Sequence, residues 1–236
     1  LRHGVGTLSL NRAFHILKAL KALNLLKNSP SLWWPSAGSF EVVVGAILTQ
    51  RARFEKVQKS LDQLKNTEML SLDPDRSLHN LSHISQEYLA KLITPSGFYQ
   101  QKAHYLIALS QHILEDFKTF ASFQAKVDRE WLLVQKGIGF ESADSILNYA
   151  CLRPVLVVDI YTYRLLASLG VELEDYHAMQ EFFMRGLQEN LEATLALYNH
   201  QLDLASIYAR LHGKIVECMR AKIDLKPYLK DEYDFY

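Results

Sequence analysis

Asp159 stands where an acidic side chain could do chemistry, because it closes the extended, β-branched stretch Pro154-Val155-Leu156-Val157-Val158 and opens a helical run, Ile160–Leu166. A carboxylate fixed at such a junction can stabilise a developing positive charge or orient a water molecule. It can equally be an ordinary helix N-cap, a role that aspartate fills well. Twenty residues before it, Gly137-Ile138-Gly139 interrupts two helical stretches. Glycines two apart permit positive φ and close backbone approach, so the N–H groups of this hairpin and of the helix after it can face a phosphate. A tight turn between two helices would use the same residues, and a lone Gly-x-Gly is a weak signal.

The elements that must position these groups read as helices almost throughout. Glu130–Val134 is a helical run, Gln135–Gly139 breaks it, and Ser142–Ala150 resumes it. An early helix carries Ile16, Leu17, Leu20 and Leu23, with Pro30 and Pro35 among serines marking its end. Val42–Leu48 is apolar nearly all round, which predicts a helix buried inside a bundle. Further helices are expected over Val57–Leu64, Gln86–Ile93, Gln101–Phe117 and Phe120–Val127, and Ser71–Asn80 is expected to be a connecting loop because of Pro74. Leu204, Ile207, Tyr208, Leu211, Ile215 and Met219 mark a long amphipathic helix near the C-terminus. No internal repeat, low-complexity tract or flexible linker stands out.

Taken in order, these segments resemble the endonuclease III-like superfamily of helix-hairpin-helix DNA glycosylases, with the likeness running from Phe40 to Gly170. Gly45-Ala46-Ile47-Leu48-Thr49-Gln50 is similar to the helix before that family's DNA-wedge loop, and Gly97-Phe98-Tyr99-Gln100-Gln101-Lys102-Ala103 to its G-[FY]-Y-x-x-K-A segment. The resemblance implies an all-α, two-lobed fold with the active cleft between the lobes. Residues 40–153 would form a six-helix lobe, 154–236 a lobe carrying the catalytic aspartate, and 1–39 would pack with the latter. It further implies that Asp159 is catalytic, and that Gln50, Arg51, Lys136, Gly137, Ile138 and Gly139 contact double-stranded DNA containing damaged bases. Hairpin carbonyls could also hold a monovalent cation beside a phosphate. Such an enzyme flips its target base out of the duplex.

Departures from the family narrow the chemistry. Members that cut the DNA strand carry a Schiff-base lysine after the hairpin; here that position is Glu141, so lyase activity is expected to be absent. The Leu-Pro usual before the hairpin glycine is Gln135-Lys136. Only Cys151 and Cys218 are present, so the four-cysteine iron–sulfur cluster of many members is not expected, and no cofactor is required. Trp33-Trp34, before Pro35, and Phe54, after Gln50-Arg51-Ala52-Arg53, are candidate walls of a base pocket, although core packing would use the same aromatics. Lys214 falls on the edge of the C-terminal apolar face: it is either a surface lysine snorkelling off its helix or part of the pocket wall. The nine histidines, His200 and His212 included, show no metal-ligand spacing, so no metal site is assigned. The tryptophan pair and the missing lysine are most similar to the monofunctional 3-methyladenine DNA glycosylases. A mispair-specific glycosylase of the same fold and a non-catalytic helix-hairpin-helix module are the alternatives.

Composition sets the outer bounds. The 236 residues are 49% hydrophobic and 22% charged, enough for one large or two small cores. A formal net charge of zero counts against a general polyanion binder but leaves room for a local basic face, for which Arg51, Arg53, Lys56, Lys102, Arg129 and Lys136 are the candidates. No apolar run approaches the ~20 residues of a membrane span, and Leu1-Arg2-His3-Gly4-Val5-Gly6 lacks the apolar core of a signal peptide. Two cysteines without a disulfide pattern suit a reducing compartment, and a monomer in a bacterial cytoplasm, associated with the nucleoid when on DNA, is expected.

Overall fold

The computed structural model describes residues 5–173 and 175–229; the first four residues of the opening stretch lie outside them. The described residues contain thirteen α-helices and no strand. In chain order these are α1 (Val5–Ala22), α2 (Phe40–Leu48), α3 (Phe54–Asn66), α4 (Pro74–His83), α5 (Gln86–Leu92), α6 (Tyr99–Phe117), α7 (Phe120–Lys126), α8 (Arg129–Leu133) and α9 (Phe140–Ser145), then α10 (Ile160–Ser168), α11 (Tyr176–Glu189), α12 (Leu191–Ala196) and α13 (Leu204–Arg220). A π-helical turn, Ile146–Ala150, continues α9. The chain divides into two units: residues 36–152, and residues 1–35 together with 153–236.

In the contiguous unit α2 is central. Eight of its nine residues, all but Glu41, are buried, and it packs on α3, α4, α6, α9 and the π-helical turn, as its nearly all-apolar surface requires. Residues 71–80, expected to be a loop, instead hold most of α4. Asp73 accepts hydrogen bonds from Asp75 N (3.0 Å) and Arg76 N (3.2 Å), and Pro74 takes the first helical position, where a missing N–H is harmless. The proline that suggested a break is the start signal. Lys102 is buried, with its ammonium donating 2.8 Å bonds to the carbonyls of Leu48, at the end of α2, and Ser96. It therefore cannot belong to an exposed basic face, and burial lowers its pKa to about 8.

The other unit joins the two ends of the chain. α1 packs on α11 and α13, α10 packs on α13, and Ile16, Leu17, Leu20, Leu166, Phe183, Ile207, Leu211 and Ile215 share one core. The segment before Asp159 is extended without pairing into a sheet. It is anchored instead by burial of Leu156, Val157 and Val158 and by the Gln180 amide, which donates to the Leu156 carbonyl at 2.7 Å. No helix among the described residues is long and apolar enough to cross a membrane.

Candidate functional site

Asp159 is the N-cap of α10. Its Oδ1 accepts bonds from Tyr161 N and Thr162 N, both 2.9 Å, and from the Thr162 hydroxyl at 3.2 Å, while Thr162 Oγ1 accepts from Asp159 N at 3.2 Å. This capping box fixes the carboxylate through one of its oxygens. The other, Oδ2, lies 3.6 Å from His212 Nε2 of α13, and both side chains are nearly closed to solvent. Burial pushes the Asp159 pKa up, but His212 and the Thr162 hydrogen bonds outweigh it, so the carboxyl sits below its ordinary value and is ionised at neutral pH.

The same histidine meets Trp33, whose ring packs edge-on to His212 with centroids 5.2 Å apart; Trp34 in turn stands at right angles to Trp33 at 6.5 Å. Trp33 is in the left-handed region at φ 69°, held in a turn by its N–H bond to the Pro30 carbonyl at 2.8 Å. The structure thus brings Asp159 and Trp33 together through His212, a residue to which sequence reasoning gave no role. The available signal was its place on the apolar face of α13, four residues after Tyr208 and three before Ile215.

Lys214 is buried, at 3% exposure, against the expectation of a surface lysine snorkelling off its helix. Its ammonium donates to the Tyr198 hydroxyl at 2.9 Å. It lines a cavity of about 500 Å³ with Lys18, Lys21, Asn24, Tyr198 and Arg210, a set without Asp159 or Trp33. Two residues along a helix is a rotation of about 200°, so Lys214 and His212 leave α13 on nearly opposite sides. Burial, followed by the charges of Arg210 and Lys21, lowers the Lys214 pKa to about 8.

The hairpin belongs to the contiguous unit and is braced from both sides. Gly137 has φ 86°, and a Cβ there would fall 2.1 Å from the Tyr105 ring, so conformation and packing both demand glycine. Gly139, expected to share that need, is extended (φ −100°, ψ −177°), and a Cβ there would meet nothing within 4 Å. Ile138 is buried and anchors the loop, whereas Lys136 and Gly139 are exposed. Gln50 ties the segment after α2 to the hairpin: its amide nitrogen donates to the Gly137 carbonyl at 2.8 Å and to the Ser142 hydroxyl at 3.0 Å. Below the loop, Arg129 makes two 2.8 Å bonds to the buried Asp144 and lies over the Phe140 ring. Arg129 is therefore a brace, and of the cations considered for a basic face Arg51, Arg53, Lys56 and Lys136 are the exposed ones. Arg51 also has positive φ, 51°. Phe54 opens α3 in this unit and is 38% exposed; Glu141 is exposed in the first turn of α9.

Among the described residues no group of three or more histidines, cysteines or acids is placed to hold a metal ion. The two cysteines fall one in each unit, and the buried Cys218 thiol faces the Ile223 carbonyl at 3.7 Å.

Comparison with known proteins shows the family and the fold. A 3-methyladenine DNA glycosylase of H. pylori, crystallised with 1,N6-ethenoadenine, is 54% identical, with a TM-score of 0.88 over 90% of this chain and 99% of that one. A candidate DNA repair glycosylase of Methanocaldococcus jannaschii is 34% identical over 193 residues, 78% of either chain. Endonuclease III trapped covalently on DNA shares the fold at a TM-score of 0.65 and 16% identity, over 90% of this chain and 86% of that one. The profile of the HhH-GPD superfamily of base excision DNA repair proteins matches residues 44–189, and the chain belongs to that superfamily.

Proposed function

We propose that this protein is a monofunctional DNA glycosylase that flips alkylated purines such as 3-methyladenine out of duplex DNA and hydrolyses the bond to the sugar. The observation that carries the reading is the Asp159 carboxylate, fixed through Oδ1, held ionised, and facing through Oδ2 the His212 ring that packs on Trp33. The likeness to the H. pylori enzyme supports the choice of base. A 3-alkylated adenine in DNA is cationic, so when the C1′–N bond breaks its electron pair stays with the base, which leaves neutral. The positive charge moves to the sugar, where a nearby carboxylate stabilises it. Water then forms the new C1′–O bond and loses a proton, with the Asp159 carboxylate as its acceptor in this reading. Selectivity falls to stacking: aromatic faces such as those of Trp33 and Trp34 favour a cationic ring.

The DNA grip assigned to the hairpin rests on the exposed backbone at Gly139, the cation of Lys136, and the Gln50–Arg51 segment tied to the loop. A monovalent cation between hairpin carbonyls and a phosphate would strengthen that grip without touching the base. Glu141 has no amine to attack C1′, so the reaction stops at the abasic site. The test is incubation with methylated duplex DNA. Free 3-methyladenine should appear, abasic sites should stay uncut, and borohydride should trap no protein–DNA adduct. Failure to release any alkylated base would refute the substrate class, and a trapped adduct would refute monofunctionality.

A further inference from the structure

Gly213 lies in the middle of α13, where glycine weakens a helix relative to alanine. Its backbone is not in the left-handed region, so conformation does not require it. Space does. A Cβ built at Gly213 would fall 2.4 Å from Cγ, 2.7 Å from Cδ2 and 2.8 Å from Cβ of Trp33. These are the root of the tryptophan side chain, not a flexible end that could swing aside. The root has little freedom, because Trp33 is already in the left-handed region with its N–H tied to Pro30 O. Its ring is further confined by His212 and Trp34.

We infer that Gly213 is a positioning residue for substrate selection: its missing side chain seats the Trp33 indole directly on α13 and so sets the aromatic face offered to a flipped alkylpurine. The inference rests on the glycosylase reading for its function, though not for its geometry. His212, the preceding residue on α13, touches both Trp33 and the Asp159 carboxylate. One turn of one helix therefore sets the distance between the group that holds the base and the group that answers the charge on the sugar. A helix without this gap would have to push Trp33 outward by more than an ångström to reach ordinary contact.

The experiment is a double-variant cycle of Gly213→Ala and Trp33→Ala, read by single-turnover release of 3-methyladenine, by binding to DNA with an abasic-site analogue, and by thermal unfolding. Gly213→Ala alone should slow excision about five- to hundredfold, the range for a lost base–aromatic stack, and leave analogue binding within about twofold, since the analogue has no base. In the Trp33→Ala background the same substitution should cost no further excision. It should lower Tm when Trp33 is present and raise or keep it when Trp33 is absent, because alanine is the better helix former. Full excision by the single variant, equal losses in both backgrounds, or loss of analogue binding in step with excision would each overturn the assignment. If the wild type releases no alkylated base, the substrate reading fails by itself, and the Tm half of the cycle still decides whether Gly213 seats Trp33.

Discussion

Replacing Asp159 by asparagine separates the two roles that the structure gives this residue. As an N-cap, asparagine serves about as well as aspartate, and the bonds from Tyr161 N and Thr162 N to Oδ1 can persist to the amide oxygen. What disappears is the negative charge at Oδ2, the oxygen that faces His212. Two unit charges about 4 Å apart at an effective dielectric of about 20 interact by roughly 4 kcal/mol. If the sugar's charge develops at such a distance, its loss slows the chemical step about 10³-fold. At neutral pH the asparagine variant should lose only the stability that the ionised carboxylate contributes, while Asp159→Ala, which removes the cap as well, should cost about 1 kcal/mol more, a further fall in Tm of about 2–4 °C for a chain of this size. The assay is single-turnover release of 3-methyladenine with enzyme in excess, run beside thermal melts and a binding titration on abasic-analogue DNA. The two variants should lose excision equally and differ in Tm. An asparagine variant that excises within tenfold of wild type would remove Asp159 from the chemistry, and one that loses DNA binding to the same degree would make its role structural.

Three other outcomes follow from the geometry. Gly139→Ala adds a methyl into open space, so Tm should stay within about a degree, while affinity for undamaged and damaged duplex should fall together if a phosphate approaches that backbone; unchanged affinity would reduce the hairpin to a turn. Lys102→Met strands the carbonyls of Leu48 and Ser96 and should destabilise the protein by about 3 kcal/mol, read by urea unfolding. A loss under about 0.5 kcal/mol, the scatter of surface substitutions, would mean that the two bonds contribute little. Because the folded-state pKa of Asp159 is lowered, its ionisation contributes stability above the unfolded value near 3.8 that is lost as pH falls through the folded one. The stability gap between wild type and Asp159→Asn should accordingly be flat above about pH 5 and close below about pH 4; a gap that stays constant down to about pH 2.5 would contradict the lowered pKa.

Elements whose neighbours are close in sequence were the legible ones. The periodicity that marks α13 and the all-apolar run that marks α2 are local properties, and both helices appear where these signals place them. α4 was misread because Pro74 was weighed as a breaker without Asp73 before it, although the pair together is a start signal. α11 and α12 went unmarked although α11 carries Met179, Phe182, Phe183 and Leu187 on its buried side, a pattern that periodicity could have found. The site was legible as a list of residues and not as an arrangement. Asp159 and Trp33 stood out singly, but the histidine that joins them is 53 positions from one and far from the other, and a lone histidine on an apolar face has no spacing rule to expose it. The same holds for Lys214, whose partner Tyr198 is 16 residues away and whose cavity it shares with Lys18 and Lys21 of α1, and for Lys102, whose carbonyl partners lie 54 and 6 residues away.

That one unit is sewn from both ends of the chain sets an order of assembly. The unit with the hairpin is continuous, so its helices can close on one another as soon as they are made. The unit with Asp159 cannot. Arg210 donates to the Ser31 carbonyl across 179 residues, and at the usual speed of protein synthesis that span takes on the order of 10–40 s to make. Through that interval the apolar face of α1, with Ile16, Leu17 and Leu20, has been made but its partners on α11 and α13 have not. A nascent chain therefore completes the unit that carries the hairpin before the unit that carries Asp159, and until α11 and α13 are made the apolar face of α1 is open to shielding by a chaperone.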